Sequence, residues 1–378
     1  MKENKTIKKG SVLVLGGGVP GVQAALDLAD LGYYVYLVEK SASIGGAMAR
    51  LDKTFPTNDC SICILAPKLV EAGRSPNIKI ITKATLTSVE GSTGNFTAKV
   101  HSKPRYIDEE LCTSCGTCAM YCPIVIPDTY NEGFTTTKNP HMDYPQAVPA
   151  SFYIDPKECL FINYKTCRIC VSTCPAKAID LDAKEEILEL SVGAVILTPG
   201  FGSLSEDLLS RFGYGSYANI LTGFEFERMM CASGPSSGEI VRPSDGKRPK
   251  RIAFLQCIGS RDITCGNGYC SSVCCMYAIK EATVVKEHDP DLEITIFYMD
   301  MRTQGKGFDA ARQRAEKEYN IQFVRARVAG VQKNGENLRI PYVNEKGEHI
   351  AEDFDMVILA QGIESPPDAK LVANAAGV

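Results

Sequence analysis

The spacing of hydrophobic positions along the 378-residue chain predicts alternating short strands and helices. Ser11 to Leu15 is an unbroken apolar run, as a strand buried on both faces requires. Glycine-rich residues Gly16 to Gly21 follow, and then Val22 to Asp30, whose apolar positions recur with helical period. Tyr34 to Val38 predicts a second strand. The same rhythm returns at Arg251 to Gln256, Met276 to Lys286 and Ile294 to Met299, which predict strand, helix and strand. Two further buried strands, within Val195 to Gly202 and Met356 to Gly362, each run into a glycine turn. This alternation predicts an α/β protein built on parallel sheets.

The first turn carries chemistry. Gly16, Gly18 and Gly21, with Val19 and Pro20 between them, form GxGxxG between a strand and a helix. There the backbone can approach a pyrophosphate and the helix start can stabilise its charge. Glu39 ends the second strand at about the ~20-residue offset where a carboxylate accepts ribose hydroxyls. Lys40 to Arg50 then brings Gly45, Gly46 and Ala47, which resemble the GG motif that follows the acid in two-dinucleotide flavoproteins. That resemblance favours FAD over NAD. Thr198, Pro199 and Gly200, and later Gln361 and Gly362, sit in turns that in those flavoproteins close the FAD domain. Lys40 and Arg50 join this candidate cofactor-binding set.

Sixteen cysteines and a formal net charge of -4 change the picture. So many thiols without a signal peptide point to a reducing, cytoplasmic setting, and no apolar stretch reaches the ~20 residues of a membrane span. Mixed charges leave no nucleic-acid footprint. Cys112, Cys115, Cys118 and Cys122, followed by proline, and Cys159, Cys167, Cys170 and Cys174, again followed by proline, form the paired pattern of a two-cluster ferredoxin. In such pairs the fourth cysteine of each run ligates the other cluster. The expected sets are therefore Cys112, Cys115, Cys118 with Cys174, and Cys159, Cys167, Cys170 with Cys122. Zinc or disulfides explain two interleaved sets less well. The second run is irregular, with seven residues between Cys159 and Cys167.

A second nucleotide turn is expected after Arg251 to Gln256, and cysteines stand where its glycines would be. Cys257, Cys270, Cys274 and Cys275 are candidate ligands of a third [4Fe-4S] cluster, since a helix start stabilises thiolates. A catalytic dithiol and buried apolar cysteines are the alternatives. Cys60 is a further candidate ligand. With Cys63 it forms a CxxC pair that also suits a redox dithiol or simple packing.

Taken in order, GGGVPG, Phe55 to Pro67 (FPTNDCSICILAP), the ferredoxin insert, QCIGSRD at Gln256 to Asp262 and YCSSVCCMYAIKEA at Tyr269 to Ala282 resemble the A subunit of heterodisulfide reductase and its bacterial relatives. The resemblance runs from Ser11 onward. It implies a thioredoxin-reductase-like two-dinucleotide-binding flavoprotein with an inserted bacterial-type two-cluster ferredoxin domain. FAD and [4Fe-4S] clusters are the implied cofactors. It further implies flavin-based electron bifurcation or confurcation within a soluble complex. Implied partners are heterodisulfide-reductase-like B and C subunits, a hydrogenase, formate dehydrogenase or other electron-input module, and ferredoxin, with a homodimer inside the larger assembly. A non-bifurcating iron-sulfur relay scaffold is the alternative. The flavin is the reactive centre, so no side chain is expected to be catalytic.

The expected organisation is an FAD domain over residues 11–103, 187–245 and 351–378. The ferredoxin insert takes 104–186, and a cysteine-bearing second domain takes 246–350. Ala232 to Lys250 is the expected linker and Pro123 to Pro149 a surface loop. Family members carry an additional N-terminal domain in methanogens and continue past the point matching Val378 with a segment that finishes the flavin site. The expectation is that another chain supplies that segment, that the site is less enclosed, or that the sequence is a fragment.

Overall fold

A computed structural model of the chain describes residues 9–378; the lysine-rich start Met1 to Lys9, which the sequence predicts to be a solvated end, lies outside the described residues except for Lys9. The chain divides into two compact units, the first of residues 9–49, Ile62–Gly200 and Pro366–Val378, the second of Arg50–Ser61 and Phe201–Ser365.

In the first unit, β1 (Ser11–Leu15), β2 (Tyr34–Val38), β3 (Ile78–Ile81) and a late strand, Ala194–Leu197, form a parallel sheet in the order β3-β2-β1-late strand. The β1 run is apolar throughout because both faces are covered: Val12 and Val14 join one core with Val22, Ala25 and Leu26, while Leu13 and Leu15 join another. Helix α1 (Val19–Asp30) links β1 to β2, and α2 (Ser61–Arg74) precedes β3. Strands β4 (Ala84–Ser92) and β5 (Asn95–Ser102) pair antiparallel, and β5 pairs in turn with a strand at Glu186–Val192.

The segment between those last two strands is the insert. It contains α3 (Thr117–Tyr121), the hairpin β6 (Val125–Pro127) and β7 (Thr136–Lys138), α4 (Leu160–Tyr164) and α5 (Ile169–Thr173). The chain then returns through β8 (Glu186–Val192) and β9 (Ala194–Leu197), the late strand of the parallel sheet. The stretch expected as a plain surface loop is partly internal: Tyr144 and Ala147 are buried beside Ile44 in the core of the first unit. An aromatic side chain with large apolar area outweighs the polar residues around it.

The second unit repeats the architecture. Strands β10 (Ile220–Thr222), β11 (Arg251–Ile258), β12 (Glu293–Tyr298), β13 (Gln322–Arg325) and β17 (Met356–Gln361) form a parallel sheet in the order β10-β17-β11-β12-β13. Beside it runs an antiparallel meander of β14 (Gln332–Asn334), β15 (Asn337–Val343) and β16 (His349–Phe354). Helices α6 (Glu206–Ser210), α7 (Gly223–Met230), α8 (Cys274–His288) and α9 (Phe308–Lys317) complete it, and the closing helix α10 (Ala369–Ala376) belongs to the first unit, where Val372 and Ala375 pack on the β4–β5 core.

Here the expected boundaries shift. Residues 201–245 and the Met356–Gln361 strand, both assigned to the first domain by pattern, belong to the second unit. The physical reason is pairing: β17 is buried at every position and lies parallel between β10 and β11, so it completes that sheet. The expected linker Ala232 to Lys250 is likewise internal to the second unit, where the buried Arg242 donates through Nε to Asp245 at 3.0 Å and pairs with Asp355 at 3.4 Å.

Helix α8 buries charge as well as apolar surface. Lys280 pairs with Glu227, and burial pushes its ammonium down to about 8. Glu281 is fully buried with neither carboxyl oxygen hydrogen-bonded, and desolvation raises it to about 8. In the unfolded chain this acid ionises near 4.5, so between that value and about 8 the folded state holds a proton that the unfolded state has released. Stability from this group therefore falls as pH rises through that window. Glu281→Gln removes the fall, and its melting-temperature advantage over the native chain should grow from about pH 5 to about pH 8. A difference independent of pH contradicts this assignment.

Candidate cofactor sites

The turn between β1 and α1 is shaped by close backbone approach. Gly16 adopts φ +106°, and a Cβ there would stand 2.1 Å from the Thr198 carbonyl oxygen. At Gly21 a Cβ would overlap the Gly16 oxygen at 1.8 Å, so only glycine lets α1 start this close to β1. Gly18 differs, since its Cβ would meet nothing nearer than Pro20 Cδ at 3.9 Å. Thr198 closes the far side by donating its hydroxyl to Leu15 O at 2.8 Å and Gly16 O at 3.0 Å.

Glu39 is buried and accepts from Gly17 N at 2.6 Å and Ser41 N at 2.8 Å, which fixes its carboxylate at the glycine turn. The Gly45 amide donates to Gly17 O at 2.7 Å, and a Cβ on Gly46 would sit 2.9 Å from Gly18 Cα, so the GG segment lies against the turn. Ala47 follows half-buried, whereas Val19, Pro20, Pro199 and Gly200 are exposed. Lys40 is occupied by Asp368 at 2.8 Å. The first turn of α1 has no side-chain cap and no acidic residue, leaving its N–H groups for an anion. These residues suit a dinucleotide pyrophosphate and ribose. Arg50, Gln361 and Gly362, expected in the same set, belong to the second unit.

The insert gathers its thiols as two sets. Cys112, Cys115, Cys118 and Cys174 line one cavity with Ile107 and Phe152, so a cysteine of the second run joins three of the first. Burial pushes the Cys118 thiol up to about 12. Burial also raises Cys170, to about 11, with Cys159, Cys122 and Cys167 adding to the shift as its charged neighbours. Cys115 is exposed and lowered by a hydrogen bond to the Thr117 hydroxyl at 3.3 Å. A small apolar core of Ile107, Ile154, Phe161, Ile179 and Leu181 supports both sets.

In the second unit, Cys257 sits at the irregular end of β11 with φ +63°, a conformation that costs a residue bearing a Cβ and recurs where side chains are held for function. It meets Cys274 and Cys275, which open α8. Hydrogen bonding to Cys274, aided by Arg261, lowers Cys257; Cys274 bonding and then the Arg302 backbone and charge bring Cys275 to about 7. Bonds to both neighbours raise Cys274. Cys270 accepts from Ser272 N at 3.4 Å and faces Arg261. Cys265 turns away, its thiol donating to Asp262 O at 3.2 Å. The first turn of α8 also lacks a side-chain cap and an acidic residue. Cys257, Cys274 and Cys275 meet at this helix start and Cys270 shares the charge of Arg261, a donor set that suits an iron-sulfur cluster.

Gln361 and Gly362 belong to this turn. Tyr277 donates to Gln361 O at 2.8 Å, and a Cβ on Gly362 would strike the hydroxyls of Ser260 and Ser271. Cys60 and Cys63 are disulfide-bonded, so Cys60 is not a free thiolate as its expected ligand role requires. Sequence reasoning assigned no role to Arg261, Asp300 and Arg302; the arginine following the Cys257 turn was the available signal.

Thiol reactivity tests the two insert sets. In cluster-free protein, alkylation read by peptide mass spectrometry should modify Cys115 before Cys118 and Cys170, and the loaded protein should resist at all eight positions. Equal rates in the cluster-free form contradict the environments described.

Comparison with known proteins extends the picture. The 4Fe-4S binding domain family matches residues 105–127. The A subunit of the H(2):CoB-CoM heterodisulfide,ferredoxin reductase of Methanothermobacter marburgensis is 44% identical over 100% of this chain, which spans 57% of that protein. An iron-sulfur A subunit of the CoB--CoM heterodisulfide reductase of Methanopyrus kandleri is 47% identical over 95% of this chain and 55% of its own length. Among solved structures, Lactococcus lactis thioredoxin reductase is 13% identical, with 96% of this chain and 80% of that one covered at a TM-score of 0.49. The chain thus spans little more than half the length of the curated relatives it matches. With the likeness to those relatives running through both units and the insert, the chain belongs to the family of heterodisulfide reductase A subunits.

Proposed function

We propose that this chain is the flavin- and iron-sulfur-carrying core of an oxidoreductase subunit. It takes electron pairs from one donor and divides them between two acceptors, one of them ferredoxin. The observation that carries this reading is that one compact unit holds both an open glycine cradle at a helix start and two interleaved thiol sets. FAD, when bound, supplies exchange of either one or two electrons, whereas clusters exchange one.

Each part of the cradle has a task. Gly16 and Gly21 bring backbone close, Gly18 leaves room for the pyrophosphate, α1 offers N–H donors, and Glu39 receives ribose hydroxyls. Cys112, Cys115, Cys118 and Cys174 would hold one [4Fe-4S] cluster, Cys122, Cys159, Cys167 and Cys170 a second, and Cys257, Cys270, Cys274 and Cys275 a third.

The relatives' names couple a CoB-CoM heterodisulfide to ferredoxin. By likeness, this chain works in a soluble cytoplasmic complex as a homodimer with B- and C-type subunits. A hydrogenase, formate dehydrogenase or other input module would deliver its electrons.

Anaerobic cofactor counting tests the reading: about one FAD and about twelve irons per chain are expected, and clusters without flavin would leave a relay scaffold instead. Gly18→Val sharpens the test, because φ there is an ordinary -74° and its Cβ has space. The variant should keep the native melting temperature and its iron while losing flavin at least about tenfold, an effect of blocking the pyrophosphate path. Unchanged flavin in Gly18→Val contradicts the cradle assignment.

A further inference from the structure

Outside the four thiols of the Cys257 turn, one cation is held in place without its hydrogen bonds being used up. Arg261 has a left-handed backbone, φ +56°, and its amide donates to Tyr269 O at 2.8 Å, which fixes where the side chain departs. Its guanidinium pairs through Nη2 with Asp300 Oδ2 at 2.7 Å, and Arg325 flanks Asp300 from its other oxygen at 3.9 Å. The charge of Arg261 acts on both Cys257 and Cys270. Nη1 is buried and meets no oxygen or nitrogen acceptor, while the guanidinium lies within hydrogen-bonding reach of the Cys257 sulfur.

A buried guanidinium N–H without an oxygen or nitrogen acceptor is costly unless another group offsets its desolvation. Its neighbours are sulfur ligands, and anionic sulfur accepts such a bond. We propose that Arg261 is the positioning residue that sets the reduction potential of the third cluster, directing Nη1–H at the sulfur cage while Asp300 holds the fork in orientation. The proposal rests on the assignment of Cys257, Cys270, Cys274 and Cys275 as cluster ligands.

The physical effect has a definite sign. A cluster gains one negative charge on reduction, so a fixed cation and a donated hydrogen bond favour the reduced form and raise its potential. Asp300 tempers this by drawing part of the charge. Asp300 is half exposed, so its own effect is screened by water more than that of a buried N–H. The bond that Arg261 makes is therefore the larger influence on the electron's energy.

The experiment is an anaerobic EPR redox titration of the purified holoprotein beside iron counting, on native chain, Arg261→Gln and Arg261→Lys. Native protein and both variants should retain about twelve irons per chain. In Arg261→Gln the midpoint of one cluster should fall by at least the ~59 mV of a tenfold change for one electron, with the others unmoved. Arg261→Lys, which keeps the charge and loses the planar fork, should recover part of the fall. An unchanged midpoint at full iron overturns the proposal. Iron falling to about eight in Arg261→Gln also overturns it, by showing a role in holding the ligand turn only. About eight irons in the native chain removes the underlying third-cluster assignment, a failure distinct from the other two.

Discussion

The two candidate sites outside the insert depend on what happens where a parallel strand ends and a helix begins. The first N–H groups of a helix have no partner inside it, and their aligned dipoles favour negative charge. At α1 and again at α8 the protein leaves that start without a capping side chain and without an acid in the first turn. The first turn is lined with glycine and the second with cysteine. One backbone device therefore presents two chemistries, an open cradle for an anionic nucleotide and a set of thiols that can become anionic ligands.

The buried sheets make such turns possible. β1 and β11 are buried along almost their whole length, so each is pinned in register by its neighbours and delivers its last residue to a fixed place. Close approach then decides residue type: a Cβ at Gly21 overlaps backbone, whereas one at Gly18 has room. The insert solves the same problem with less. Its short helices α3 and α5 and a handful of apolar side chains bring two thiol runs together across more than fifty residues of sequence, and cluster binding would add the cross-links that such a small core lacks.

Much of this was readable in sequence because the signals were local. The run from Ser11 to Glu39 contains strand, turn, helix, strand and acid in register, and the structure builds each of them. The spacing of the eight insert cysteines carries an expected pairing, and the structure lines one cavity with Cys112, Cys115, Cys118 and Cys174. Long-range pairing was not readable. The apolar strand at Met356–Gln361 reads by pattern as the close of the first domain, and its parallel bonding to β10 and β11 places it in the second unit instead. Tyr144 was hidden for a similar reason, since its partner Ile44 lies a hundred residues earlier. Nor does a sequence reveal that Arg261 leaves a buried N–H with no oxygen or nitrogen acceptor, because that depends on where Asp300 arrives after β12.

On the function proposed above, the second strand-to-helix turn would hold a cluster where the first would hold a nucleotide. Anomalous diffraction at the iron edge, from crystals grown anaerobically, tests it most directly. Three iron peaks are expected, one of them within bonding distance of the sulfurs of Cys257, Cys270, Cys274 and Cys275, with nucleotide density only at the Gly16–Gly21 turn. Two iron peaks confined to the insert, or a nucleotide seated at Cys257–Gly259, would contradict it.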